Sequence, residues 1–132
     1  MNEVYEFLKA CGTYYLATVN EEGAPRIRPF GTVDCWEGKL TIQTGLKKDV
    51  AKQMLANPKV EICACGAEGK WLRLSATAEL IEDVAAAEHM LDAYPMLRGM
   101  YTPGDGNTAI FALTHAKAVI NSFTAAPVIY EF

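Results

Sequence analysis

Arg26, Arg28, Lys47 and Lys48 are the residues whose types and spacing could do chemistry together. Arg26 and Arg28 lie two apart in a run of strand character, so they project from one face, while Lys47 and Lys48 sit where a second strand-like run gives way to a helix. A helix start offers unpaired N–H groups and the positive end of the helix dipole, and basic side chains beside it complete a site for a phosphate. Taken alone, the two arginines read as exposed strand residues paired with neighbouring acids. Lysine at a helix start is mildly unfavourable without an anion, and this favours the ligand reading. The stretch Pro25–Asn57 is thus read as strand, tight turn, strand and helix arranged around a phosphorylated cofactor.

Little else in the chain is equipped for catalysis. No Ser/His/Asp set, carboxylate pair or activated cysteine stands out, and His89 and His115 have no visible partner in the sequence. Cys11, Cys35, Cys63 and Cys65 form no C-x-x-C pair and read as reduced thiols, and no second ligand pair completes a zinc set. Trp71 suits both packing at the end of a core and stacking on a ligand.

The elements that must position these residues follow from composition and punctuation. At 132 residues, 51% hydrophobic and 21% charged, the chain reads as a single domain over residues 1–132. Twelve Lys and Arg against sixteen Asp and Glu give a net charge of −4, which argues against nucleic acid or an anionic membrane surface as partner. Residues 26–52 reverse that sign, with six cations against Asp34, Glu37 and Asp49, which suits a compact anionic ligand. No signal peptide is read at the N-terminus and no apolar run approaches the ~20 residues of a membrane span, so a cytoplasmic location is expected.

A short amphipathic helix is predicted over Asn2–Ala10, closed by Gly12. Strands are predicted at Thr13–Asn20, Pro25–Trp36, Lys39–Thr44, Val60–Cys65 and Lys70–Ile81. Glu21-Glu22-Gly23, Glu37-Gly38 and Glu68-Gly69 read as hairpin turns, which implies an antiparallel meander. The fifth strand is long enough to need a bend at Ser75-Ala76, as in a closing barrel. A helix after Thr44 ends at Asn57-Pro58, and Asp83 caps another that runs to Tyr94 before Pro95. A short helical piece continues through Met96–Met100, and residues 102–107 form a loop. Ala109–Leu113 and Ala116–Phe123 read as two strands or one strand with a bulge, and Val128–Phe132 as a terminal strand. Such a set makes a β-barrel with helical decoration, and no G-x-G-x-x-G or Walker motif is present.

Laid out in this order, the chain resembles the pyridoxamine 5′-phosphate oxidase-like family of flavin-binding split barrels. The resemblance runs from about Tyr15 to Leu80. It rests on YLATVN, on G-x-P-R-x-R-P at residues 23–29, on Thr41-Ile-Gln-Thr44, on Lys47-Lys48, on the helix ending in Asn57-Pro58 and on the strand Trp71–Glu79. It implies a mainly β, antiparallel Greek-key split barrel and a homodimer with FMN in each of two clefts between the subunits. Arg26, Ile27, Arg28 and Pro29 would then run along the flavin, Gln43 and Thr44 would lie beside its ring or ribityl chain, and Lys47 and Lys48 would meet its phosphate. Trp71 and Arg73 would come from the partner subunit. Arg28 or Arg73 would stabilise the anionic reduced flavin, whose ring would carry the redox chemistry. True pyridoxamine phosphate oxidases carry a C-terminal region rich in Trp, Arg and His, whereas no basic residue follows Lys117 here, so vitamin B6 oxidation is not expected. The implied function is an FMN-dependent oxidoreductase acting on a small molecule or a nicotinamide donor. The alternatives are a non-catalytic flavin-binding or stress-related module and a split barrel holding deazaflavin or haem.

Overall fold

The computed structural model describes residues 1–132. Its elements are α1 (Asn2–Cys11), β1 (Tyr14–Val19), β2 (Pro25–Phe30), β3 (Asp34–Trp36), β4 (Lys39–Gly45), α2 (Asp49–Ala56), β5 (Lys59–Cys65), β6 (Trp71–Ile81), α3 (Val84–Ala93), β7 (Thr108–Asn121) and β8 (Val128–Glu131). A 3₁₀ segment at Pro95–Gly99 follows α3. All strand pairs are antiparallel, in the order β2-β1-β5-β6-β7-β4-β3, with β8 paired to β7. The two edge strands, β2 and β3, are separated in sequence only by Gly31, Thr32 and Val33. Such a link spans at most about 14 Å between flanking Cα atoms, so the sheet must curl until its edges meet, which makes the barrel.

All three predicted hairpins are present, but they do not form a meander. β4 pairs with β7, not with β5, and α2 carries the chain from one side of the sheet to the other. The result is a Greek-key order. The twelve-residue strand read at Pro25–Trp36 is broken into β2 and β3 on opposite edges. The break is held from outside the segment. Tyr14 Oη donates to Thr32 O at 2.6 Å, and the Tyr94 hydroxyl donates to Val33 O at 3.2 Å while accepting from Val33 N at 3.1 Å. The bend expected at Ser75-Ala76 is a register shift between Ser75 and Thr77. Opposite it, β7 is one strand interrupted at His115, whose φ is 48°.

Alternation decides what fills the barrel. Val60, Ile62 and Ala64 of β5 and Leu72, Leu74, Ala76 and Ala78 of β6 point inward with Leu16, Leu40, Ile42 and Phe111. α2 covers the barrel with Val50, Ala51 and Met54, and Val4 and Leu8 of α1 join the same core. α3 starts where Asp83 Oδ1 accepts from Ala85 N at 2.9 Å, and it packs Ala86, Ala87 and Met90 against Ile110. No helix is long and apolar enough to cross a membrane.

Candidate cofactor site

β4 is buried from Leu40 to Gly45, because it lies between β3 and β7. Gln43 and Thr44 face a cavity of about 210 Å³ that β2 closes with Arg28, Pro29 and Phe30. The link between the barrel edges adds Gly31 and Thr32, α2 adds Lys48 and Val50, and the 3₁₀ segment and its sequel add Leu97, Met100 and Tyr101. The backbone of Gln43 is satisfied locally: its N–H donates to Thr32 Oγ1 at 3.0 Å, and the same hydroxyl lies 3.4 Å from Gln43 O. The side chain is not. Gln43 is 5% exposed, and neither Nε2 nor Oε1 has a hydrogen-bond partner in the chain. Native interiors rarely leave a buried amide unpaired at both ends, since each orphaned group costs about 1–3 kcal/mol.

Lys48 is the N-cap of α2, with an extended backbone and no capping side-chain bond. The N–H groups of the first helical turn therefore have no capping side chain beside the cavity. Arg28 borders the same cavity, yet its guanidinium is committed. It donates to Thr18 Oγ1 at 2.7 Å and Gln53 Oε1 at 2.9 Å, with longer contacts to Leu16 O at 3.3 Å and Arg26 O at 3.4 Å. Thr18 Oγ1 in turn donates to Gln53 Oε1. Burial lowers the Arg28 pKa, Asp49 opposes the shift and Arg26 adds to it. Arg28 thus ties α2 to β1 and β2 in addition to lining the cavity.

The structure sorts the sequence-predicted residues into three places. Arg28, Pro29, Gln43, Thr44 and Lys48 converge on the cavity. Arg26 lines a separate, open hollow of about 760 Å³ with Asp49, Lys52 and Gln53, and its Nη1 donates to Pro25 O at 3.0 Å. That larger hollow mixes acids with cations and has no orphaned buried polar group, so the smaller cavity is the better candidate. Lys47 is exposed and outside both. Ile27, Trp71 and Arg73 lie away from the cavity. Ile27 is 68% exposed, Trp71 is half-buried against Phe123 with ring centroids 5.3 Å apart, and Arg73 lies 4.0 Å from Glu61.

Sequence reasoning missed Thr32, Gln53 and Tyr101, and it left His89 without a partner. Gln53 carried one signal, a polar residue flanking the apolar stripe of α2 between Val50 and Met54. His89 Nδ1 lies 2.5 Å from Oδ2 of the nearly buried Asp34, and its ring packs on Trp36. Both are on the α3 side of the barrel, outside the cavity.

With this arrangement in view, the family model for pyridoxamine 5′-phosphate oxidase matches residues 1–120. The chain belongs to that family. The fold of this family member superposes on a NimC/NimA family protein from Clostridium acetobutylicum with a TM-score of 0.95 and 40% identity, over 100% of this chain and 92% of that one. A pyridoxamine 5′-phosphate oxidase-related, FMN binding protein from Nostoc punctiforme matches at a TM-score of 0.64 and 16% identity, over 99% and 90% of the two chains. A haem binding protein from Mycobacterium smegmatis matches at 0.73 and 16%, over 96% of this chain and 57% of that one. Among curated proteins none matches the sequence. The split-barrel fold of this pyridoxamine 5′-phosphate oxidase family member is thereby shared with proteins of more than one cofactor.

Proposed function

We propose that this protein binds FMN and acts as an FMN-dependent oxidoreductase on a small molecule. The observation that carries the reading is the unpartnered Gln43 amide, buried beside Thr44 and in the same cavity as Lys48 and the start of α2. An amide is at once donor and acceptor, which matches the alternating carbonyl and N–H groups on the pyrimidine edge of a flavin. The α2 start and Lys48 supply the phosphate end. When bound, the flavin supplies the electron-transfer chemistry, and the protein's part is to bind, orient and polarise it. Arg28, held by Thr18 and Gln53, lends positive charge to that cavity without being free to swing.

We further propose that two copies assemble with the cofactor between them. About 210 Å³ is smaller than the roughly 300–1,000 Å³ of small-molecule sites, so one chain supplies only part of an enclosure. The outward face of the sheet supports a second copy as the missing wall. Pro29, Tyr15, Cys63, Arg73, Val119 and Ile129 form one cross-strand row, in which Tyr15 is 49% and Ile129 55% exposed. Trp71 lies on the same strand face as Arg73 and would belong to the partner wall. A flavin absorption band in the purified protein, together with a dimer in sedimentation with FMN, tests both statements. A colourless protein that gains no band on adding FMN would overturn the first, and a monomer that binds FMN tightly the second.

A further inference from the structure

The segment between the 3₁₀ turn and β7 has no reading in the sequence beyond a loop, but its last residue, Asn107, extends the β4–β7 ladder one step past the Gly45–Thr108 pair, onto the turn that leads into α2. Leu46 N donates to Asn107 O at 2.7 Å and Lys47 N to Asn107 Oδ1 at 3.1 Å, so one residue takes up two consecutive N–H groups of the β4–α2 turn. Lys48 N closes the turn on Gly45 O at 3.0 Å. With those three amides used, the next free N–H groups are those of the first turn of α2, behind Lys48. Asn107 is itself fixed. The Asp105 carboxylate accepts from Asn107 N at 2.8 Å, Thr108 N at 2.7 Å, Thr102 N at 3.0 Å and Thr108 Oγ1 at 3.0 Å. The fit is also tight. A Cβ built on Gly45 would lie 3.1 Å from Asn107 Nδ2, 3.3 Å from its Oδ1 and 3.3 Å from Tyr101 Cε1.

We infer that Asn107 is a positioning residue for the phosphate end of the site: by holding the β4–α2 turn it sets where Lys48 and the first amides of α2 point. This rests on the FMN reading above, because the turn matters to binding only if a phosphate is held there. The same loop connects through Tyr101 to the wall of the Gln43 cavity, so one element orders both ends of the site.

FMN and riboflavin titrations of wild type, Asn107→Ala and Gly45→Ala, with thermal melts of each apo-protein, test the inference. Asn107→Ala is expected to weaken FMN binding about tenfold, the worth of one hydrogen bond, and to leave riboflavin within about twofold. Gly45→Ala, whose Cβ presses on the Asn107 side chain and on the Tyr101 ring, is expected to weaken FMN binding in the same sense but less. Equal losses for both flavins, tracking a lowered melting point, would make Asn107 a merely structural residue and overturn the role. So would unchanged FMN affinity in Asn107→Ala and Gly45→Ala. A wild type that binds both flavins equally would overturn the phosphate reading itself and the role of Asn107 with it, an outcome distinct from the other two because it appears before any substitution is made.

Discussion

Replacing Gln43 with Met should stabilise the protein without ligand and weaken it as a flavin binder. Gln43 Nε2 and Oε1 are both buried and unpaired, and Met keeps the unbranched shape while removing the two polar atoms. Each orphaned group costs about 1–3 kcal/mol, part of which is recovered by local relaxation, so a net gain of about 1–3 kcal/mol is expected in the apo form. At roughly 2.1 cal/mol/K per residue over 132 residues, 1 kcal/mol shifts Tm by about 4 °C, so apo Tm should rise by about 4–11 °C. In the proposed complex the same change would delete two hydrogen bonds to the flavin, worth about 0.5–1.5 kcal/mol each, and Kd for FMN should rise about 5- to 150-fold. Riboflavin should lose as much as FMN, because Gln43 is assigned to the ring and not to the phosphate. Calorimetric melts with and without flavin, plus fluorescence titration, give all the quantities. A fall in apo Tm with both flavin affinities unchanged would show that the amide is satisfied by its own protein, and would remove the observation on which the cofactor reading stands.

Lys48→Ala should weaken FMN about 10- to 150-fold, as expected for a charge-assisted bond of about 1.5–3 kcal/mol, whereas Lys47→Ala, whose side chain lies outside the cavity, should change it less than about threefold; parallel titrations decide. Gln53→Ala leaves the Arg28 and Thr18 donors without their shared acceptor and should cost about 1–3 kcal/mol in urea unfolding, with no change expected if the network were slack. His89→Ala deprives the nearly buried Asp34 carboxylate of its partner and should lower Tm, while Asp34→Asn in the same background should restore part of the loss. Four donors hold the Asp105 carboxyl well below the usual carboxylate range, so its contribution is complete above the unfolded value of about 4 and declines as pH falls through the lower folded value. The stability advantage of wild type over Asp105→Asn should therefore shrink on acidification from pH ~6 to pH ~3, as followed by chemical unfolding.

What the sequence made legible was local. The Glu21-Glu22-Gly23 turn and the Asp83 cap act within a few residues, and each is where its signal lies. The break at Gly31–Val33 was not legible, because it is imposed by Tyr14 and Tyr94, the latter 61 positions away. Nor was the contact of Asn107 with Lys47, 60 apart, or that of His89 with Asp34, 55 apart. The site divides in the same way. The family resemblance and the β4–α2 junction brought Gln43, Thr44 and Lys48 forward together, and they do converge. Charge counting alone could not separate Lys48 from Lys47, or show that Arg28 spends its donors on Thr18 and Gln53, since both depend on how α2 docks on β1 and β2.

In the proposed complex this cavity holds a flavin by both its ring and its phosphate. Side-by-side titration of the flavin-free protein with FMN and with riboflavin tests it most directly. About one FMN per chain is expected to bind, with riboflavin weaker by about tenfold or more, the worth of one charge-assisted phosphate contact. Equal affinities would contradict the phosphate assignment, and absence of binding by either flavin would contradict the account as a whole.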